Sequence, residues 1–151
     1  MIKHTKQSGF AMLFTVLIIS LILSIAVSIS NLTLKQTVLS NIAKDSQIAF
    51  YQADAAVECG MYEDTLLGHF PLDATAGQVP INFYCGNDTL ALTEAQSNYF
   101  VYEFQNIDQN RACYKIIFDK TAEPYRVQGF GYNVCNPNNP RQVERALEVK
   151  Y

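Results

Sequence analysis

KHTKQSGFAMLFTVLIISLILSIAVSISNLTLKQ, residues 3–36, sets Lys3, His4 and Lys6 just before Gly9 and then carries no charge until Lys35. The uncharged run from Phe10 to Leu34, about 25 residues, is longer than the roughly 7–15 of a secretory h-region. As a helix it suffices to cross a hydrocarbon core of roughly 30 Å. Basic residues ahead of the run predict a cytoplasmic N-terminus and an external position for everything after Leu34. Two readings compete with this one. The first is a long secretory signal cut near AVSIS, residues 26–30; the second is a plain single-pass anchor for a soluble domain.

No glycine or proline occurs between Phe10 and Cys59, so nothing there breaks a helix. Beyond the apolar run the pattern turns amphipathic. Leu34, Val38, Leu39, Ile42, Ile48, Ala49, Ala53, Ala56, Val57 and Met61 recur at spacings of three and four among polar positions. The spacing predicts one continuous helix from about Phe10 to about Glu63, roughly 80 Å long at 1.5 Å per residue. Residues 10–34 form its membrane half and residues 35–63 its amphipathic half.

The same residues resemble those of type IV pilins and pseudopilins. KQSGFAMLF (6–14) is similar to the end of a prepilin leader, and AFYQADAAVECGMYED (49–64) is similar to a stretch of PilX-type minor pilins. RQVERALEVKY (141–151) resembles the closing strand of such proteins. The resemblance implies a leader over residues 1–9, cleavage by a prepilin peptidase between Gly9 and Phe10, and N-methylation of Phe10. It further implies a pilin-like head over residues 64–151 and partner subunits held through the N-terminal helix. One departure is informative. Most members of the family carry glutamate at the fifth position after the cut, where it meets the N-terminal amine of an adjacent subunit; here that position is Phe14. Thr15 is the nearest polar side chain, and a hydroxyl is a poor partner for a buried ammonium. Phe14 therefore points to a minor subunit at the filament tip or at the start of assembly.

After the helix, residues 64–98 hold Gly68, Pro71, Gly77, Pro80 and Gly86 and read as an irregular connection with one short strand at VPINFYC (79–85). Strand patterns follow at 98–107, 112–121, 125–134 and 142–151. In the last, Val143, Leu147, Val149 and Tyr151 share one face, interrupted by Arg145, while Glu144, Glu148 and Lys150 share the other. The expected class is α+β: the long helix packed through its apolar stripe against a C-terminal antiparallel sheet of about four strands. The glycines of GFGYN (129–133) mark a close approach by another surface.

Cys59, Cys85, Cys113 and Cys135 are the four cysteines. None belongs to a C-x-x-C pair, which disfavours zinc, and an even, widely spaced set outside the membrane favours disulfides over free thiols. Four cysteines permit three pairings. Cys59–Cys85 is preferred because it pins the long connection to the helix end. Cys113–Cys135 is preferred because the two lie nearly symmetrically about the turn at 122–124 and would face one another across a hairpin.

Little in the sequence suggests chemistry. His69 stands in a loop without a nucleophile motif, no phosphate-binding glycine run occurs, and CNPNNPRQ (135–142) is a sparse set of oxygens for calcium. Asp54 and Glu58, one helical turn apart, read as a solvated face rather than a dock for a cationic partner. Subtracting the two leader lysines from the formal charge of −3 leaves about −5, with no basic run to hold nucleic acid. No catalytic residue, cofactor or metal is assigned, and a secreted hydrolase is disfavoured. The expected function is a minor pilin or pseudopilin of the bacterial cytoplasmic membrane, its head extracytoplasmic and then part of a cell-surface or periplasmic filament. The alternative is a membrane-anchored extracytoplasmic binding protein that does not polymerise.

Overall fold

A computed structural model describes residues 8–104 and 108–151. The helix α1 runs unbroken over Ser8–Met61, 54 residues, and widens at its end into a π-turn, Tyr62–Leu66. Gly68, with φ of 63°, closes it, and the His69 N–H returns to the Glu63 carbonyl at 3.2 Å. The chain divides into two compact units, Met1–Ile42 and Ala43–Tyr151. The described part of the first is helix alone. The second holds the remainder of α1 and six strands: β1 Asn82–Cys85, β2 Asp88–Gln96, β3 Tyr99–Phe104, β4 Cys113–Asp119, β5 Arg126–Tyr132 and β6 Glu144–Lys150.

The six strands form one antiparallel meander in the order β1-β2-β3-β4-β5-β6. The protein is thus α+β, a long helix packed on an antiparallel sheet, but the sheet has six strands rather than about four. Both extra strands come from the 64–98 connection: β1 falls within the short strand expected at 79–85, and β2 is the one the sequence reading lacks. In β2 the alternation that identifies a strand is broken by a register shift between Leu92 and Glu94, which puts successive inward residues out of phase. β1 is only four residues long and pairs with β2 through a two-residue turn at Gly86, φ 62°. The other four strands lie within the expected spans, although the 98–107 expectation ends in residues outside those described.

Register places Phe100, Tyr102, Tyr114, Ile116, Phe118 and Val127 on the inner face, and all are buried. Ala49, Ala53 and Ala56 of α1 are fully buried against that sheet. Their small side chains matter because the opposing strand is equally bare. A Cβ added at Gly131 would lie 2.1 Å from the Ala49 carbonyl oxygen and 2.3 Å from the Ala53 nitrogen. At Gly129 it would lie 2.5 Å from the Ala53 carbonyl oxygen. Glycine on β5 and alanine on α1 therefore let helix backbone rest directly on strand backbone. The cover thins toward the sheet edge: Leu147 and Val149 of β6 are only half-buried.

The connection between the π-turn and β1 is pinned by more than a cysteine. Phe70 enters the core, 1% exposed, stacking on Phe118 with ring centroids 3.8 Å apart and meeting Tyr102 edge-on at 5.6 Å. Ala74 and Val79 are buried beside it, and the Tyr102 hydroxyl donates to the Pro80 carbonyl at 2.6 Å.

Gly131→Ala in the detergent-solubilised full chain should lower unfolding stability by about 3 kcal/mol or slightly more, because backbone cannot give way as a flexible side chain can. Gly77→Ala, where nothing lies within 4 Å, should stay within about 0.5 kcal/mol of the parent. Chemical denaturation of both variants checks the contrast.

Candidate functional site

The first unit presents apolar side chains to every side. Every residue from Phe10 to Ile42 is exposed, with Phe10 at 79% and Phe14 at 56%. The helix is long and apolar enough to cross a membrane. Five of its hydroxyls are turned inward on the backbone. Thr15 donates to the Met12 carbonyl at 2.9 Å, and Ser20, Ser28, Thr33 and Thr37 donate to carbonyls three or four residues earlier. Such back-bonding satisfies the hydroxyl proton locally and makes these residues compatible with lipid or with a neighbouring apolar helix. Thr15 thus has no free proton to offer a partner, and no carboxylate lies on the helix between Phe10 and Leu34. Gly9 lies within α1 at its first turn. The expected leader residues Lys3, His4 and Lys6 lie outside the described residues.

In the second unit Cys59 is bonded to Cys85 and Cys113 to Cys135, with Cα atoms 5.8 and 5.6 Å apart. The first ties the end of α1 to the edge strand β1. The second differs from a face-to-face hairpin pair. Cys113 stands opposite Tyr132 in the ladder, and Cys135 lies three residues past it, where its N–H reaches the Arg111 carbonyl at 2.9 Å. The bridge therefore fastens the 133–142 loop to the start of β4.

Asp54 and Glu58 are both exposed on α1. His69 has a closer relation than a solvated loop residue: its Nδ1 lies 2.7 Å from Oε2 of Glu63, whose side chain is 6% exposed. Among the described residues no group of three or more His, Cys, Asp or Glu is placed to hold a metal.

Beside the ends of β3 and β5 and the starts of β4 and β6 lies a hollow of about 490 Å³ lined by Glu103, Phe104, Tyr132, Cys135 and Glu144. Lys115 borders it with its ammonium 4.8 Å above the Phe130 ring. Burial, then the hydrogen bond to Glu144, pushes the Tyr132 hydroxyl well above the ordinary tyrosine range. These groups can hold a small polar molecule by hydrogen bonds and charge, but they include no nucleophile with an adjacent base.

A polar cluster that the sequence did not announce joins four elements inside the second unit. Lys120, just past β4, places Nζ 2.5 Å from Asp64 Oδ1 of the π-turn and 2.5 Å from the Phe70 carbonyl oxygen. The side chains of Lys120 and Asp64 are 7% and 3% exposed. The Tyr151 hydroxyl donates to the other Asp64 oxygen. Burial raises the Asp64 carboxyl above its usual range and outweighs the opposing hydrogen bond and charge of Lys120. Lys120 carried no signal in the sequence, since a lysine after a strand is usually solvated. Its partner Asp64 stands 56 residues away, a separation that no local pattern encodes.

No family profile matches the chain, and no curated protein or solved structure is detectably similar to it.

Lys120→Met should cost about 3–5 kcal/mol, because it leaves a buried carboxyl without its cation. The double variant Asp64→Leu/Lys120→Met, which removes both charges, should be more stable than Lys120→Met alone. Denaturant midpoints of the two variants check the ordering.

Proposed function

We propose that the chain is a minor type IV pilin or pseudopilin, a structural subunit whose N-terminal helix passes from the membrane into a bundle of like helices. The observation that carries this reading is α1 itself. One unbroken helix, Ser8–Met61, is apolar on all sides in its first part and seated on a sheet in its last. A simple anchor needs about 20 residues, and the uninterrupted continuation into the folded unit suits a rod that must also transmit position from membrane to head. Back-bonded hydroxyls from Thr15 to Thr37 suit either lipid or neighbouring helices, so transfer between the two breaks no hydrogen bond.

Under this reading the precursor is cut between Gly9 and Phe10 by a prepilin peptidase, and the new Phe10 amine is methylated. Phe14 offers no carboxylate to a neighbour's amine, which suits a subunit at the tip or one that initiates assembly. The hollow near Glu103 and Glu144 supports a second reading: an anchored, extracytoplasmic binding protein that stays solitary and uncut.

Mass spectrometry of the mature chain separates these. A methylated N-terminus at Phe10 is expected; an intact Met1 supports the solitary anchor, and a start near Ser30 replaces both with a cleaved signal. Phe14→Glu should leave cleavage at Gly9 unchanged. Immunogold labelling should place the wild-type subunit at filament ends, and even labelling along the fibre would refute the tip assignment while leaving membership of the filament intact.

A further inference from the structure

Lys120 and Asp64 bring an amine and a carboxyl together in a place with little access to water. Nζ lies 2.5 Å from Oδ1, and both side chains are under a tenth exposed. Phe70 and Phe118, stacked at 3.8 Å, are both buried, and the Phe70 carbonyl itself contacts Nζ. We propose that this pair is the site of a spontaneous intramolecular amide, an isopeptide cross-link between the Lys120 Nζ and the Asp64 Cγ.

The surroundings match the product group by group. A secondary amide has one N–H and one carbonyl oxygen. The Phe70 carbonyl, already 2.5 Å from Nζ, accepts the first, and the Tyr151 hydroxyl, already on Asp64 Oδ2, donates to the second. No polar atom of the linkage is left unpartnered, and both buried charges disappear.

The reaction balances without a co-reactant. A proton passes from the Lys120 ammonium to the Asp64 carboxylate along their contact, giving a neutral amine and a neutral acid. Rotation of the carboxyl about its Cβ–Cγ bond turns its face toward Nζ. The nitrogen lone pair then attacks Cγ, and charge develops on Oδ2, where the Tyr151 hydroxyl stabilises it by hydrogen bonding. A proton leaves Nζ for Oδ1, the Cγ–Oδ1 bond breaks, and water departs. Nothing is oxidised or reduced. Proximity lowers the barrier, since well-oriented intramolecular groups reach effective molarities on the order of 10⁵ M or more. The direction of the Asp64 shift, set first by burial, favours the neutral acid that the step requires.

Peptide mapping of the reduced and alkylated full chain, purified in detergent, tests the bond independently of any N-terminal processing. The wild type should lack tryptic cleavage after Lys120. It should yield a species joining residues 45–111 to residues 116–126, lighter by one water than the sum of the two peptides. Lys120→Arg and Asp64→Ala should each restore separate peptides at full mass. Cleavage after Lys120 in the wild type, with both peptides at full mass, would overturn the proposal. So would a water loss that persists in Lys120→Arg.

Discussion

Contact between the backbones of α1 and β5 sets the geometry of the folded unit. The Ala49 and Ala53 backbones lie where a Cβ on Gly131 or Gly129 would need to be, so the helix is seated against the second half of β5. From that seat the remaining contacts follow. The aromatic side chains of β3 and β4 fill the space on one side of the helix, and Phe70 closes it from the end. On the other side, toward β6, the sheet outruns its cover and Leu147 and Val149 stay half-exposed. Arg145, on the same inner face, reaches Ser46 Oγ at 2.9 Å, placing a polar contact where an apolar one would be open to solvent.

Much of this was legible because it depends on local pattern. A long run without glycine or proline forms a long helix, and the three-four spacing of Ala49, Ala53 and Ala56 marks its buried stripe. GFGYN signals close approach because glycine in a strand otherwise costs stability. What stayed hidden depends on contacts distant in sequence or on broken pattern. β2 contains Leu90 and Leu92 on the core side, but the irregularity at Leu92/Glu94 hides the alternation beyond. The Asp64–Lys120–Tyr151 cluster joins residues 56 and 87 positions apart. Likewise, the near symmetry of Cys113 and Cys135 about their turn suggested opposed positions, while the ladder register puts Tyr132 opposite Cys113.

The proposed role asks different things of the two units. A subunit drawn from lipid into a bundle of helices needs a rod with few unsatisfied polar groups, and five hydroxyls of the first unit meet that need within the helix itself. The head instead must hold its shape while it is displaced. Its polar interior contacts gather where the helix ends: Glu63 with His69, Asp64 with Lys120 and Tyr151, and Cys59 with Cys85.

The two borders of the meander are finished differently, and each discourages a further strand in its own way. β1 is short and covalently fastened through Cys85, so it offers little ladder for a newcomer to extend. β6 is longer and open, yet it alternates Glu144, Arg145, Glu148 and Lys150 along its length, and charges of both signs discourage a neighbour's strand from annealing to it. Neither border therefore lends itself to strand addition, and the meander ends where its sixth strand ends.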